Sequence, residues 1–399
     1  MRKFLVPILF LLFAGACKNE SDLATDKANF SRIYDNSQFS NSYYPIDMVQ
    51  TPDGGFLILG GRKLVAITAE GDHEVSNFSG VYLLKIDELG NFVSDQEVDS
   101  LYVDPVGPLI AGNGNYYFFT MNATSLQTQL IGLSAGGEIG QIQPVSRTYP
   151  LAAGFDNGNF LLLSYNKEDK ESVISVVGSD GSVSASKGYT IGVGDAVEAP
   201  LINHFTRNGR QYPFQVGRAP GGKYFFNGFY NYTFSFVFTD LAEEKPNQVQ
   251  GTNDNAGLNQ VVPLGADLYA ASRFDYGENY LLPQASLSST SVTSSVNLPG
   301  NSFPELVPNA PVKTLVTTLN GKEVIIYGSN TRSHQIALYA YEKSTGVFLG
   351  SKYLGFSNPY EIGSLVATTD GGIAVSGTTY VAGRFPRICL FKFSKEVLF

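Results

Sequence analysis

The chain has 399 residues, a formal net charge of −9, 42 glycines, 28 phenylalanines, 23 tyrosines and no tryptophan. The acidic balance disfavours nucleic acid and anionic lipid as partners, and abundant glycine and aromatic residues with few charges favour short strands and tight turns over helices. Cys17 and Cys389 are the only cysteines, and Cys17 falls at the end of an export signal, so a disulfide framework within one chain is excluded.

The first residues predict an export signal. Arg2 and Lys3 precede an apolar run over residues 4–13, which is too short to span a bilayer as a helix. The small residues 14–16 then lead directly to Cys17. This small-small-Cys ending resembles the bacterial lipobox, which implies that residues 1–16 are removed and that Cys17 carries a lipid. The alternative is an ordinary cleaved signal peptide in which Cys17 is incidental.

Residues 17–29 are polar, partly acidic and without apolar periodicity, which predicts a flexible tether. Cys17 is followed by Lys18, a polar residue and Glu20, a pattern that resembles the short signal sending some lipoproteins of glycan-foraging bacteria to the outer cell face. It implies an outer-membrane location with the lipid as the only membrane contact, although a solvated linker would have much the same composition.

From residue 30 onward the sequence repeats one pattern. The clearest copy is a strand, the turn Pro52-Asp53-Gly54-Gly55 and a second strand, in which proline presets the first turn φ and glycine supplies a positive φ. Related turns follow at the glycines Gly114, Gly158, Gly221, Gly265, Gly321 and Gly371. Their spacing, roughly 45 to 65 residues, is typical of propeller blades and predicts a seven-bladed β-propeller of four-stranded antiparallel blades over residues 30–399. A pair of β-sandwich domains is the alternative.

The two ends of this repeat region complement each other. The last copy has room for three strands, whereas the strand-like segment Phe30–Tyr34 precedes the first full copy. We therefore expect Phe30–Tyr34 to pair with the strand around Cys389 and to close the ring. Cys389 is expected to act there as a small buried hydrophobic residue.

The hairpin from Thr51 to Gly60, followed by Leu84-Lys85-Ile86-Asp87, resembles the Asp-Gly-Gly repeats of bacterial secreted propeller proteins. The match is good for the first and last copies and loose for the middle five. It implies the fold and leaves the function open, because propellers include binding modules, scaffolds and enzymes.

In a propeller, the loops between second and third strands gather on one face, where ligands usually bind. These loops carry a large share of the few cations of this chain, together with tyrosines. The candidate ligand-binding residues are Arg62, Arg273, Tyr276, Arg332, His334 and Arg384. Arginine beside tyrosine suits a carboxylate or a carbohydrate, so we expect an anionic partner, such as an acidic glycan or an acidic protein segment. Simple solvation of exposed loops would also account for these residues.

Enzyme signatures are absent from the sequence. It contains no sialidase Asp box, no Gly-x-Ser-x-Gly and no His-Glu-x-x-His motif, and the lack of tryptophan counts against quinone-dependent dehydrogenases. No histidine or cysteine cluster has metal-ligand spacing, so no catalytic residue, metal or cofactor is predicted. The favoured function is a non-enzymatic surface propeller that binds a glycan or a protein partner. The alternative is a polysaccharide hydrolase or lyase.

Overall fold

The computed structural model describes residues 27–35, 42–67, 73–112, 114–207, 209–381 and 385–395. The predicted signal peptide, Cys17, most of the predicted tether and Arg384 lie outside these residues. The described chain consists mainly of strands, with one α-helix and one short 3-10 helix. The prediction of an all-β fold is confirmed.

An eight-stranded sheet, the N-terminal sheet, follows the first strand β1 (Phe30–Tyr34). Its strands β2 to β9 are Tyr43–Gln50, Phe56–Ile67, His73–Ile86, Phe92–Glu97, Tyr102–Gly112, Asn115–Asn122, Gln127–Leu133 and Ile139–Thr148. Strands β2 to β5 pair in sequence order, as do β6 to β9, and the pair Gly80–Val103 is the point at which β4 meets β6. The sheet therefore consists of two four-stranded antiparallel halves.

Two further sheets follow, separated by helix α1 (Asp195–Phe205). The β10 sheet contains β10 to β13, which are Pro150–Asp156, Asn159–Asn166, Glu171–Val177 and Val183–Thr190. The β14 sheet contains β14 to β17, which are Gln215–Arg218, Tyr224–Tyr230, Thr233–Thr239 and Asn247–Gln250. Each pairs antiparallel in sequence order, and the two-residue strand β21 (Thr293–Ser294) adds to β17 in parallel.

The last three sheets are also four-stranded. The β18 sheet contains β18 to β20 and β22, which are Ala256–Gly265, Leu268–Asp275, Glu278–Ser286 and Asn301–Ser302, with the 3-10 helix Ser295–Asn297 between β21 and β22. The β23 sheet contains β23 to β26, which are Val312–Leu319, Lys322–Asn330, Ile336–Glu342 and Phe348–Leu354. The β27 sheet contains β27 to β29, which are Tyr360–Ala367, Ile373–Thr379 and Arg387–Phe393, together with β1. The predicted four-stranded antiparallel sheets are confirmed.

The predicted Asp-Gly-Gly turns connect first to second strands and are held by a lysine from the third strand. Asp53 accepts hydrogen bonds from the Gly55 N–H at 3.0 Å and from the hydroxyl of Thr51, and Gly54 has φ +81°. The buried Lys85 donates to Asp53 Oδ2 at 2.8 Å and to Thr51 Oγ1 at 2.7 Å. We call this arrangement a clamp: an Asp-Gly-Gly turn between the first and second strands whose aspartate accepts a hydrogen bond from a lysine of the third strand.

The same clamp recurs at the other end of the chain. Asp370 accepts from the Thr368 hydroxyl and the Gly372 N–H, and Lys392 Nζ donates to Asp370 Oδ2 at 2.7 Å. Lys392 is almost fully buried, like Lys85. Because a buried ammonium group needs an acceptor, each clamp ties the turn between the first two strands to the third strand of the same sheet.

Strand β1 pairs antiparallel with β29, with Phe30 opposite Lys392 and Tyr34 opposite Ile388. The Phe30 ring is buried and lies over Gly90 in the turn between β4 and β5, and the Tyr34 hydroxyl donates to the Gly90 carbonyl at 3.0 Å. The predicted pairing of Phe30–Tyr34 with the strand containing Cys389 is therefore found. It joins the start of the described chain to its last sheet.

The first strands of neighbouring four-stranded groups contact one another, where the two halves of the N-terminal sheet count as two groups. Such contacts join β2 to β6, β6 to β10, β10 to β14, β18 to β23, β23 to β27, and β27 back to β2. Gln215 of β14 exchanges two hydrogen bonds with the backbone of Val261 in β18. The Ser364 hydroxyl of β27 donates to Asp47 of β2 at 2.7 Å, so the last sheet is a direct neighbour of the first.

The apolar core lies between adjacent sheets and between the two halves of the N-terminal sheet. Leu57 and Leu59 of β3 pack with Phe118 of β7 and Ile131 of β8, and comparable clusters join the other neighbours. Cys389 lies in such a cluster and is fully buried, as predicted, and burial raises the pKa of its thiol. Both faces of most sheets are therefore buried, which explains the high apolar content of the second and third strands.

The composition favours strands and turns over helices, yet one helix, α1, occupies residues Asp195–Phe205. Val197, Leu201 and Phe205 recur every four residues and are buried together in one cluster with Leu64. This spacing was the available sequence signal, but it is short and contains Pro200, which disfavours a helix interior. Within the described residues, no helix has the length and apolar character needed to cross a membrane.

Candidate functional site

The structure describes five of the six residues predicted to bind a ligand. Arg62 lies in β3, half-buried, with Nη1 3.3 Å from Glu97 Oε2 and Nη2 3.5 Å from the carbonyl oxygen of Val98. Its guanidinium therefore already faces a carboxylate of its own sheet. Arg384 lies outside the described residues.

The expectation that Arg273 is an exposed loop residue is wrong. Its side chain lies in β19 with 7% of its surface exposed, stacked on the Tyr280 ring at 3.7 Å. Nη1 lies 3.2 Å from Asp275 Oδ2, and Nε donates to the Leu298 carbonyl at 3.2 Å. These contacts make Arg273 a structural residue that ties β19 to β20 and to the segment after the 3-10 helix.

We therefore expect Arg273→Ala to lower the free energy of unfolding by about 2–4 kcal/mol, because a buried ion pair loses one partner. Arg332→Ala, at an exposed turn, should change it by about 0.5 kcal/mol or less. Chemical denaturation of both variants measures this difference. Equal stability of the two variants would contradict the structural role of Arg273.

Tyr276, Arg332 and His334 are exposed and lie in two turns that border one connecting segment, residues 303–310. The Asn309 N–H donates to the Gly277 carbonyl at 3.3 Å, and Arg332 Nε donates to the Leu306 carbonyl at 3.1 Å. The structure thus brings these two turns to the same segment. No contact among the described residues links Arg62 to them.

A different cluster of polar residues gathers around the segment that follows α1. Arg210 Nη1 donates to the Asp254 carbonyl just before β18, whereas the exposed Arg207 stacks on the Tyr44 ring of β2, 4.0 Å from its centroid. Tyr44 in turn donates to Ser79 Oγ of β4 at 2.6 Å. The segment therefore reaches from the β18 sheet to the N-terminal sheet, between elements far apart in sequence.

Asp104 lies beside the Tyr44–Ser79 contact, and only one of its two carboxyl oxygens has a hydrogen-bond partner among the described residues. The Ser79 N–H donates to its Oδ1 at 3.0 Å, while Oδ2 is buried without a hydrogen-bond partner among the described residues. Burial raises the pKa of Asp104 to about 7, against the opposing effects of the Ser79 hydrogen bond and the Arg207 charge. The backbone φ of Asp104 is +50°, a conformation that aspartate tolerates better than most residues.

Tyr380 and Glu361 complete this group from the β27 sheet. Burial, the Glu361 charge and the hydrogen bond to Glu361 raise the pKa of Tyr380, whereas the Arg207 charge lowers it. We call Tyr44, Ser79, Asp104, Arg207, Glu361 and Tyr380 the Arg207 cluster. It offers one exposed cation, two phenol groups and a carboxyl group able to change protonation near neutral pH, which suits recognition of a polar or anionic ligand.

Two further charged side chains, Asp47 of β2 and Lys313 of β23, are half-buried. Asp47 Oδ2 accepts from the Leu109 N–H at 2.7 Å, in addition to the Ser364 hydrogen bond, and burial raises the pKa of Asp47. Burial lowers the pKa of Lys313, against the effect of the Asp47 charge. Within the described part of the chain, no three histidine, cysteine, aspartate or glutamate side chains are arranged to hold a metal ion.

Sequence reasoning did not find the Arg207 cluster, because its six members are isolated residues on four strands and in two connecting segments. The only local signal was Arg207 and Arg210 near a helical spacing of apolar residues. His204, at the end of α1, is half-buried, and its Nδ1 accepts a hydrogen bond from the Tyr212 N–H at 3.1 Å; desolvation lowers its pKa to about 3. It is therefore neutral and supports the segment that carries Arg207.

No protein-family model matches the chain, and no curated protein sequence matches it significantly. Among solved structures, the Dos1 propeller is 8% identical over 92% of this chain and 95% of that chain, with a TM-score of 0.48. Prolyl oligopeptidase B from Galerina marginata is 10% identical over 92% and 50%, with a TM-score of 0.46. The NanB sialidase from Streptococcus pneumoniae is 11% identical over 93% and 71%, with a TM-score of 0.47. These similarities assign no activity, ligand or partner to this chain.

Proposed function

We propose that the chain is a seven-bladed β-propeller closed by β1. The N-terminal sheet divides into two four-stranded halves, which with the five other sheets gives seven four-stranded groups. The contacts from β2 through β27 and back to β2 support a ring, and β1 supplies the fourth strand of the last group. Stacking the groups around an axis would bury both faces of each one.

We further propose that this propeller is a non-enzymatic binding or scaffold module for a glycan or protein partner. The observation that carries the proposal is the Arg207 cluster: an exposed arginine held over a tyrosine ring, with polar side chains from the N-terminal sheet and the β27 sheet around it. Such a constellation recognises carboxylates and hydroxyl groups through directed hydrogen bonds and stacking. Tyr276, Arg332 and His334 form a second exposed surface that could extend it.

The test is binding of acidic and neutral oligosaccharides, measured by calorimetry with the wild type and with Arg207→Gln. We expect the variant to bind at least about tenfold more weakly, which corresponds to one lost charge-assisted contact. Lys322→Gln, an exposed cation at the turn between β23 and β24, is the matched control and should bind normally. Equal binding by Arg207→Gln and the wild type would reject the cluster as the site.

The polysaccharide hydrolase or lyase alternative rests on Asp104, whose pKa of about 7 would suit proton transfer. Release of new reducing ends or unsaturated products by the wild type, abolished in Asp104→Asn, would support the enzyme and overturn the binding-only proposal. Binding without product release supports the non-enzymatic module.

We also propose that the protein is an outer-membrane lipoprotein anchored through Cys17. Cys17→Ser should leave a soluble or uncleaved form, because the thiol that accepts the lipid is missing and the apolar signal is too short to anchor the chain as a spanning helix. Fractionation of cells into membrane and soluble proteins measures the change. Unchanged membrane association of the variant would contradict lipidation at Cys17.

A further inference from the structure

An open groove of about 980 Å³ lies between the outer strands of the N-terminal sheet and the face of the β10 sheet. One wall comes from the turn before β8 and the end of β9, and the other from β11, β12 and β13. Its volume is at the upper end of the range of small-molecule sites. None of the residues predicted from sequence to bind a ligand lines this groove.

Arg147 is the central cation of this groove. Its Nε donates to Ser175 Oγ at 2.9 Å, Nη1 to the Ser146 carbonyl at 2.6 Å and Nη2 to Ser186 Oγ at 2.6 Å. No carboxylate among the described residues lies within 4 Å of it, unlike Arg62, Arg218 and Arg273. A guanidinium has five N–H groups, so two remain for a ligand, and no ion pair with a described residue engages its charge.

The lining of the groove presents polar and apolar surface in about equal parts. Leu126, Tyr149, Tyr165 and Val173 also line it, but the last three are buried and offer little apolar surface. The hydroxyl, amide and ammonium groups around Arg147 belong to Ser125, Gln127, Ser164, Asn166, Lys167 and Ser186. The carboxylates of Glu168 and Glu171 line the groove as well. The groove therefore combines a central guanidinium with ammonium, carboxylate, hydroxyl and amide groups, which suits a ligand that carries both charge and hydroxyl groups.

Glu171 supplies an acceptor on the β12 side. Its carboxyl group lies over Gly188 of β13, where a β-carbon would collide with Glu171 Oε2. Burial and the charge of Asp169 raise the pKa of Glu171, while Lys187 lowers it. The glycine thus leaves room for a carboxyl group on the wall formed by β12 and β13, and the Arg147 guanidinium reaches that wall from β9 through Ser175 and Ser186.

From this arrangement we infer that the groove binds a carboxylate-bearing sugar, the uronate residue of an acidic polysaccharide. The two carboxylate oxygens of the sugar accept hydrogen bonds from the two free N–H groups of Arg147, because a guanidinium suits a planar bidentate acceptor. Sugar hydroxyl groups donate to Glu171 and exchange hydrogen bonds with the surrounding serine and amide groups. This inference rests on the proposed function as a binding module, and it names both the ligand class and a site separate from the Arg207 cluster.

The experiment measures calorimetric binding of tetrasaccharides of galacturonate, glucuronate, mannuronate and guluronate to the purified protein. We expect at least one of them to bind, its methyl-esterified form to bind at least about tenfold more weakly, and Arg147→Gln to reproduce that loss. Arg147→Lys should lose most of the affinity, because an ammonium group keeps the charge without the planar fork. Lys322→Gln should bind like the wild type.

Lys167→Gln tests the same groove independently of whether Arg147→Gln folds normally. Lys167 is exposed in the groove, so this variant should melt normally and bind about threefold more weakly through the loss of one nearby charge. Absence of binding by all four uronates overturns the inference, as does equal binding of the acid and its methyl ester.

Two further outcomes separate this inference from the proposed function. If uronate binding is lost in Arg207→Gln but unchanged in Arg147→Gln and Lys167→Gln, the groove is rejected and the Arg207 cluster is retained. If binding is lost in Arg147→Gln and unchanged in Arg207→Gln, the groove is supported and the cluster is rejected as the glycan site.

Discussion

Deletion of residues 30–34 is expected to cost the protein most of its stability. The deletion removes Phe30, and truncation of a buried phenylalanine alone costs about 3–5 kcal/mol, a large part of the 5–15 kcal/mol that stabilises a typical domain. It also removes the five residue pairs of β1 with β29 and exposes the edge of β29, which carries Ile388, Cys389 and Leu390. An unpaired edge with apolar residues invites aggregation.

Thermal unfolding and size-exclusion chromatography of the truncated protein measure both effects. Deletion of residues 18–26, within the predicted tether, is the matched control and should leave the melting temperature unchanged. Phe30→Ala should show an intermediate loss, because the backbone pairing remains. A truncated protein that melts like the wild type would mean that β1 contributes nothing to the last sheet.

Asp53→Asn is expected to lower the free energy of unfolding by about 1–3 kcal/mol, because the buried ammonium group of Lys85 loses a charged acceptor. Lys85→Met should cost less, since it removes the buried charge itself and fills a similar volume, leaving Asp53 exposed to water. The double variant should therefore be more stable than Asp53→Asn alone. Urea denaturation of the three variants tests this order, and a double variant less stable than Asp53→Asn would contradict it.

The clamps also predict a dependence of stability on pH. The hydrogen bonds from Lys85 and Thr51 lower the pKa of Asp53 to about 2, and at Asp370 those from Lys392 and Thr368 outweigh burial and lower its pKa. A carboxyl group with a lowered pKa in the folded state binds fewer protons than in the unfolded chain, so its contribution is complete above its ordinary pKa, about 4, and is lost as the pH falls towards 2. Wild-type stability should fall over this range more steeply than that of the Asp53→Asn, Asp370→Asn variant.

The hairpins were predictable because their signals are local. A turn that needs a positive φ selects glycine, and the residues on either side alternate or run apolar, so Gly54 and Gly371 could be identified from a few neighbouring residues. Even Gly265, in one of the loosely matching middle copies, ends β18 directly before the turn to β19 and has a positive φ. The pairing of β1 with β29 was predictable for another reason: a missing strand at one end of a repeat and a spare strand at the other complement each other.

The sequence by itself determined the strand content, the positions of the turns and the four-strand repeat, because each depends on residues within about ten positions of one another. Only the tertiary structure decided that Arg273 is buried against Asp275, that α1 carries Arg207 to Tyr44, and that Arg147 faces a groove without a carboxylate partner. These properties depend on distances between elements that are far apart in the chain. The ionisation, burial and hydrogen bonds of a side chain depend on every group that surrounds it in space. A single sequence shows only which residues are neighbours along the backbone.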